Sequence, residues 1–303
     1  MKYYLGIDGG GSKTAAVLCD ETGKTAASFV GGSINFNAIG TERTRQNLKA
    51  VVDGVLKGFT GTLSAAVIGS AALAERADEA LTRTVCEGII PCDRVVMESD
   101  VFIGLEAMRC KGPVAMVISG TGSMAAGRKA DGTVIHTGGW GYLLGDEGSG
   151  YAMALDGIKA AIRGDEGTGD KTALTADLLA FFDVRETAEL IDIFYNPAPE
   201  PSRVAKFAPF VLKNAEAGDE AALRIMNDHA LSLAKTVNAL LARLPAGTPL
   251  GLWGGIFQNS EIYREAFARA VNAEYPQTAV GLLPVPPEYG AAFAAMAYDE
   301  QEE

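Results

Sequence analysis

Two stretches of the chain repeat one pattern of apolar and polar positions. An apolar, strand-like run over residues 3–7 ends in Gly6-Ile7-Asp8-Gly9-Gly10-Gly11-Ser12-Lys13-Thr14, and a second extended run over 15–19 follows, up to a turn at 21–24. About a hundred residues later an apolar run over 114–118 ends in Ser119-Gly120-Thr121-Gly122-Ser123 and continues as an extended run over 124–128. Behind the first hairpin the pattern predicts a strand at 26–30, an irregular polar loop at 31–37, helices at 41–57 and 74–88, strands at 65–69 and 94–98, and a helix at 103–110. Behind the second it predicts a strand at 133–136 after an Asp131-Gly132 turn, a helix at 151–162, and an almost wholly helical stretch from 171 to 244 broken at 196–201. Strands at 250–253 and 279–283, a helix capped by Ser260 and a terminal helix at 287–298 complete the chain. Strand-rich hairpins followed by alternating helices and strands, and then repeated, predict a duplicated α/β architecture.

The glycine hairpins carry the candidate chemistry. Glycine has no Cβ, so backbone N–H groups there approach a polyanion closely, and flanking hydroxyls add donors. The first loop is not a Walker A loop, because Ser12 separates Gly11 from Lys13 and no helix follows. The missing helix equally excludes a dinucleotide fingerprint. Either loop alone also reads as a plain glycine-rich turn. The two together point to a pair of jaws on the phosphates of one nucleotide.

Composition narrows the partners. The chain has 303 residues, enough for about two domains, and a formal charge of −12 that argues against nucleic acid and anionic membrane. An anionic nucleotide must then be held by local donors. No apolar run reaches membrane-spanning length and the first residues run straight into a strand, so a cytoplasmic location is expected. The four cysteines (Cys19, Cys86, Cys92, Cys110) show no ligand-like spacing and read as core thiols. Only His136 and His229 are present, so proton transfer should fall to a carboxylate.

Four blocks in order, namely Gly6 to Ser12, Ser119 to Ser123, Gly138-Gly139-Trp140-Gly141 with Gly145-Asp146-Glu147-Gly148-Ser149, and Gly254-Gly255, resemble the actin/hexokinase/Hsp70 ATPase superfamily. Within it the chain resembles the BadF/BadG/BcrA/BcrD group, which includes N-acetylglucosamine kinases. The resemblance implies two ribonuclease-H-like lobes, 1–113 and 114–286, closing over MgATP in a cleft, with a C-terminal helix at 287–303 returning to the first lobe. It further implies that Asp8 orients Mg²⁺ through water and that Gly10, Gly11, Ser12 and Lys13 meet the β- and γ-phosphates. Gly120, Thr121 and Gly122 should clamp from the other jaw, Gly254 and Gly255 should form the adenosine-binding turn, and Ala208 should line the adenine pocket. Asp100 is the implied general base, with Asn35, Asp146, Gly139 and Trp140 around the sugar. Plainer readings stand beside these: a turn-capping Asp8, a helix cap at Ser99-Asp100, a structural Trp140, an Asp146-Glu147 pair serving a helix N-terminus, and core packing for Phe207, Phe210 and Val211.

An ATP-dependent kinase of an amino sugar, acting on the 6-hydroxyl of N-acetylglucosamine, is the expected function, with glucosamine or N-acetylmuramic acid as alternative substrates. A second class in the same group is the ATP-hydrolysing activator of a 2-hydroxyacyl-CoA dehydratase or benzoyl-CoA reductase system, whose subunits share a [4Fe–4S] cluster through paired cysteines. The cysteine spacing here does not match it. A transcriptional regulator is disfavoured by the acidic charge. Dimers are common in such kinases, and the sequence leaves the oligomeric state open.

Overall fold

Residues Lys2–Gly9 form the central strand of a sheet because their middle buries apolar side chains on both faces, Leu5 and Ile7 on one and Tyr4 on the other. The computed structural model describes residues 1–11, 13–73 and 75–300 and divides them into two compact units. The first comprises Met1–Lys111 with Leu283–Glu303, and the second Gly112–Leu282.

In the first unit, β1 (Lys2–Gly9), β2 (Lys13–Asp20) and β3 (Thr25–Gly32) run antiparallel, while β4 (Thr62–Ser70) and β5 (Arg94–Ser99) lie parallel to β1 and to each other. The strand order is β3-β2-β1-β4-β5. After a short α1 (Phe36–Ile39), α2 (Thr41–Val55) covers one face, where Leu5, Ile7, Leu18 and Ile68 meet Leu48, Val51 and Val52; α3 (Glu79–Cys86) adds Val85 and Cys86. The opposite face is covered by α4 (Asp100–Ala107) and by the last helix of the chain, α13 (Pro287–Glu300), through Ile103, Ala291, Ala294 and Ala295. Small residues let α13 lie unusually close to its neighbours. A Cβ on Gly6 would collide with the Glu288 carbonyl, and one on Gly290 with the Ile103 carbonyl.

The second unit repeats the strand order. Its sheet runs β10-β9-β6-β7-β8, with β6 (Val114–Ser119), β7 (Ser123–Arg128) and β8 (Val134–Gly138) antiparallel and β9 (Leu250–Trp253) and β10 (Val280–Leu282) parallel to β6. Read from its meander edge this is the order of the first sheet, so the fold is α/β with two ribonuclease-H-like units. Its helices are α5 (Gly150–Glu166), α6 (Leu174–Phe182), α7 (Leu190–Tyr195), α8 (Pro201–Ala205), α9 (Ala208–Glu216), α10 (Glu220–Leu241), α11 (Gly255–Asn259) and α12 (Glu261–Asn272). Phe207, Met226, Val237, Phe257, Tyr263 and Phe267 fill the core beneath them.

Some boundaries differ from the sequence expectation. The helix expected at 74–88 is shorter, because Asp78 accepts the Leu81 N–H and starts it there. The helix expected from 103 begins three residues earlier, behind a Ser99 cap. The long helical stretch is cut again by the left-handed backbone of Asp183 and Gly218, beyond the break at 196–201. Among the described residues no helix is long and apolar enough to cross a membrane.

Candidate active site

Side-chain alternation assembles the charged part of the first unit. On β1, Asp8 shares a face with Tyr4, which packs on α13, and with Gly6, which abuts the Glu288 backbone. On β2, Lys13 shares a face with Val17 and Cys19, which pack on Ala292 of the same helix. Asp100 is the first residue of α4, directly after β5, and Glu288 lies in the first turn of α13. Asp8, Lys13, Asp100 and Glu288 therefore gather at the carboxyl ends of β1 and β5, where ligands of open α/β sheets bind. Sequence reading did not single out Glu288. An acid in a helix's first turn looks like an ordinary complement to the dipole, and only the return of α13 to β1 brings it to Asp8.

The electrostatics follow from this crowding. Loss of water raises the Asp8 carboxyl to about 7, assisted by the negative charges of Asp100 and Glu288 and opposed by Lys13. Loss of water also raises Asp100, against the N–H groups of Val101 and of its own backbone, which bond the carboxylate. Glu288 is raised for the same reason, and Lys13 again opposes. The helix cap belongs to Ser99, whose Oγ accepts the Phe102 N–H at 3.2 Å, so Asp100 is not occupied as the N-cap residue.

The first hairpin is tied to the polar loop that follows β3. The Gly10 N–H donates to the Lys13 carbonyl at 3.1 Å, closing the turn, while Gly11 is open to solvent. Ser33 Oγ donates to the Gly10 carbonyl at 3.0 Å and accepts the Asn35 N–H at 3.2 Å. Asn35 caps α1, its Oδ1 accepting from the N–H groups of Asn37 and Ala38 at 3.1 and 3.2 Å. A serine hydroxyl unremarked in the sequence thus couples a predicted phosphate loop to a predicted sugar residue. Ser12 lies outside the described residues.

In the second unit the Gly145–Ser149 block locks the second hairpin. Ser119 Oγ donates to the Gly148 carbonyl at 2.7 Å and Ser123 Oγ to the Glu147 carbonyl at 2.8 Å. The Gly120 and Thr121 carbonyls accept the first N–H groups of α5, from Gly150 and Tyr151, at 2.7 and 3.1 Å, and Ser149 caps that helix. Asp146 is buried in left-handed backbone (φ 62°), and its carboxylate accepts from the N–H groups of Gly141 and Ser123. Burial raises its carboxyl while those two bonds oppose the rise. Asp146 therefore pins the Gly139–Gly145 loop to the hairpin. The arrangement brings Gly120, Thr121, Gly122, Gly139 and Asp146 into one loop cluster.

Trp140, on that loop, is 70% exposed and is not a core residue. Gly139 before it has positive φ, and a Cβ there would fall 2.7 Å from Met124 Sδ. Gly254, at φ 104°, sits against the Ser119 backbone where a side chain has no room, and Gly255 opens α11. Ala208 is wholly enclosed at the start of α9, in the core with Phe207 and Val211, so its side chain presents no surface to a ligand.

Among the described residues no group of three or more His, Cys, Asp or Glu side chains is placed to ligate a metal directly. Asp8, with its carboxyl raised beside two further acids and a single lysine, fits a hard cation that retains its waters and is met by one carboxylate.

Comparison with known proteins gives a consistent picture. The chain is 29% identical over 305 residues to the N-acetylmuramic acid/N-acetylglucosamine kinase of Clostridium acetobutylicum, spanning 97% of this chain and 98% of that protein. It is 26% identical over 311 residues to the N-acetyl-D-glucosamine kinase of Dictyostelium discoideum, with 97% of each covered. A crystal structure of a candidate N-acetylglucosamine kinase from Chromobacterium violaceum has the same fold, with a TM-score of 0.78 at 22% identity over 97% of this chain and 98% of that one. The family model for BadF/BadG/BcrA/BcrD ATPases matches residues 5–297, and the chain belongs to that family.

Proposed function

We propose that the protein is an ATP-dependent amino-sugar kinase that transfers the γ-phosphoryl group to the 6-hydroxyl of N-acetylglucosamine. Membership of an ATPase family supports the nucleotide, and the names of the full-length relatives support the acceptor class. The observation that carries the chemistry is the division of labour at the end of β5, where Ser99 caps α4 while the Asp100 carboxylate, oriented by the Val101 and its own N–H groups, keeps acceptor capacity for a substrate.

In this reading Asp100 accepts the hydroxyl proton as the sugar oxygen forms its bond to the γ-phosphorus. The bond from that phosphorus to the bridging oxygen breaks, and its electron pair leaves with ADP. A carboxylate made more basic by burial suits the task, because phosphoryl transfer asks the protein chiefly for positioning, charge neutralisation and one aimed base. Bound magnesium would neutralise charge on the phosphate oxygens. Asp8 would hold the magnesium's waters, while Gly11, Ser12 and Lys13 would donate to the phosphates and Gly10, its N–H spent on closing the turn, would let the loop pass close to them. Thr121 and Gly122 would supply further donors, Gly120, whose N–H donates to the Gly122 carbonyl, would shape that turn, and Gly254 and Gly255 would leave room for the nucleoside. The Asn35 Nδ2 group, its Oδ1 being spent on the cap, would donate to a sugar hydroxyl. The pinned Gly139–Asp146 loop would present Trp140 to the ring.

The test is a coupled assay of ADP release over a panel of N-acetylglucosamine, glucosamine, N-acetylmuramic acid and N-acetylmannosamine, with a no-sugar control and ³¹P NMR of the product. Release dependent on N-acetylglucosamine, giving the 6-phosphate, supports the reading. Equal release without sugar sinks it.

A further inference from the structure

Glu288 has no part in the chemistry above, yet the fold fixes its position closely. Two close approaches clamp the first turn of α13. Gly6 of β1 lies under the Glu288 carbonyl, and Gly290 lies against the Ile103 carbonyl of α4, with no space for a side chain at either glycine. The strand carrying Asp8 and the helix opened by Asp100 are thus both locked to the turn that carries Glu288. The result is three acids and one lysine at a mouth proposed to receive a triphosphate.

We infer that Glu288 is a specificity-determining residue that makes the site reject nucleotide lacking its metal. The inference rests on the ATP-binding reading of this site. A metal-free triphosphate brings its full negative charge into a mouth where Lys13 faces three acids. Like charges several ångströms apart near a protein surface repel one another even at the intermediate dielectric constant there. Magnesium removes two of the ligand's charges, and the repulsion from Glu288 falls with them. Asp8 and Asp100 have their own proposed work, so Glu288 is the acid whose charge is surplus to transfer and available for this selection. Its interactions with Asp8 and Lys13 agree with that placement.

The test measures equilibrium binding of a non-hydrolysable ATP analogue by calorimetry, in Mg²⁺ and in EDTA, so turnover is not the readout. Wild-type protein should bind the metal-loaded analogue more tightly by at least tenfold. Glu288→Gln, which keeps the side chain's shape, should tighten metal-free binding about fivefold or more and shrink the ratio of the two dissociation constants accordingly. Glu288→Asp should retain the ratio. Glu288→Ser, which keeps a first-turn acceptor, is the second neutral variant should Glu288→Gln fail to fold, and circular dichroism checks each. A ratio unchanged within twofold in the neutral variant overturns the inference while leaving ATP binding intact. Wild-type protein that binds the analogue in neither condition overturns the functional reading and this inference with it.

Discussion

The carboxylate of Asp146 occupies the space that a side chain at residue 122 would need: a Cβ on Gly122 would stand 2.6 Å from Asp146 Oδ2. The second hairpin is therefore glycine at this position for the sake of its own unit, before any nucleotide is considered. Gly122→Ala should push the Asp146 carboxylate off the Ser123 and Gly141 N–H groups and free the loop carrying Trp140. Hydrogen exchange over residues 139–146 should rise, and the KM for sugar should increase more than the KM for ATP. At Gly120 a Cβ would meet nothing within 4 Å. Gly120→Ala should leave exchange in the 139–146 loop unchanged, and equal loosening in both variants would show that the Gly122–Asp146 contact is not what holds the loop.

Asp100 gives the sharpest test of mechanism. General-base catalysis contributes about 10²–10⁴-fold, so Asp100→Asn should lower kcat by about that factor while both KM values stay within a few-fold. The amide retains an oxygen to accept the Val101 N–H, Ser99 still caps α4 and a buried charge is removed, so the melting temperature should hold or rise. A variant turning over at the wild-type rate would remove Asp100 from the role of base.

How far the sequence foretells this arrangement depends on the range of each interaction. The two hairpins, the strands flanking them and the order of elements are legible, because short continuous apolar runs ending in glycines are local signals. Asp8, Asp100 and Asp146 are legible as candidates because each sits at a strand end or within a glycine-rich block. Glu288 is not legible, since it reaches Asp8 across some 280 residues of chain and its local context reads as routine helix chemistry. The link from Ser33 to Gly10 is hidden for a similar reason: a loop serine announces nothing until β3 returns beside the hairpin. The four-residue α1 escapes detection because a single turn has no periodicity to read, although the resemblance picks out Asn35, its cap, for another role.

The seat of α13 should be intolerant of any added atom. Gly290→Ala places a methyl group into the Ile103 carbonyl, backbone against backbone, where no rotamer relieves the contact. Its destabilisation should reach or exceed the ~1–3 kcal/mol typical of overpacking. Gly112→Ala, at a site with nothing within 4 Å and no positive φ, should change stability by no more than about 0.5 kcal/mol. Urea denaturation of the two variants makes the comparison. Equal midpoints would mean that α13 is not held at this point.

The last prediction concerns pH, and its sign comes from Asp8. Its carboxyl is raised from the ordinary aspartate range to about 7, so between those limits the folded protein holds a proton that the unfolded chain has released. Stability contributed by this group is thus present below the unfolded value and is lost as pH rises towards 7. Asp8→Asn removes the buried charge, so it should raise the melting temperature at pH 8, by an increment that shrinks steadily between pH 7 and pH 4. Activity should run the other way. The ionised carboxylate is the form that meets a cation, so kcat/KM for ATP in the wild type should climb with pH through about 7 and then level off. Thermal melts across pH 4–8 for both proteins, read beside the pH–rate profile of the wild type, check the two signs together. A melting gain for Asp8→Asn that is independent of pH would show that the buried charge is not its source.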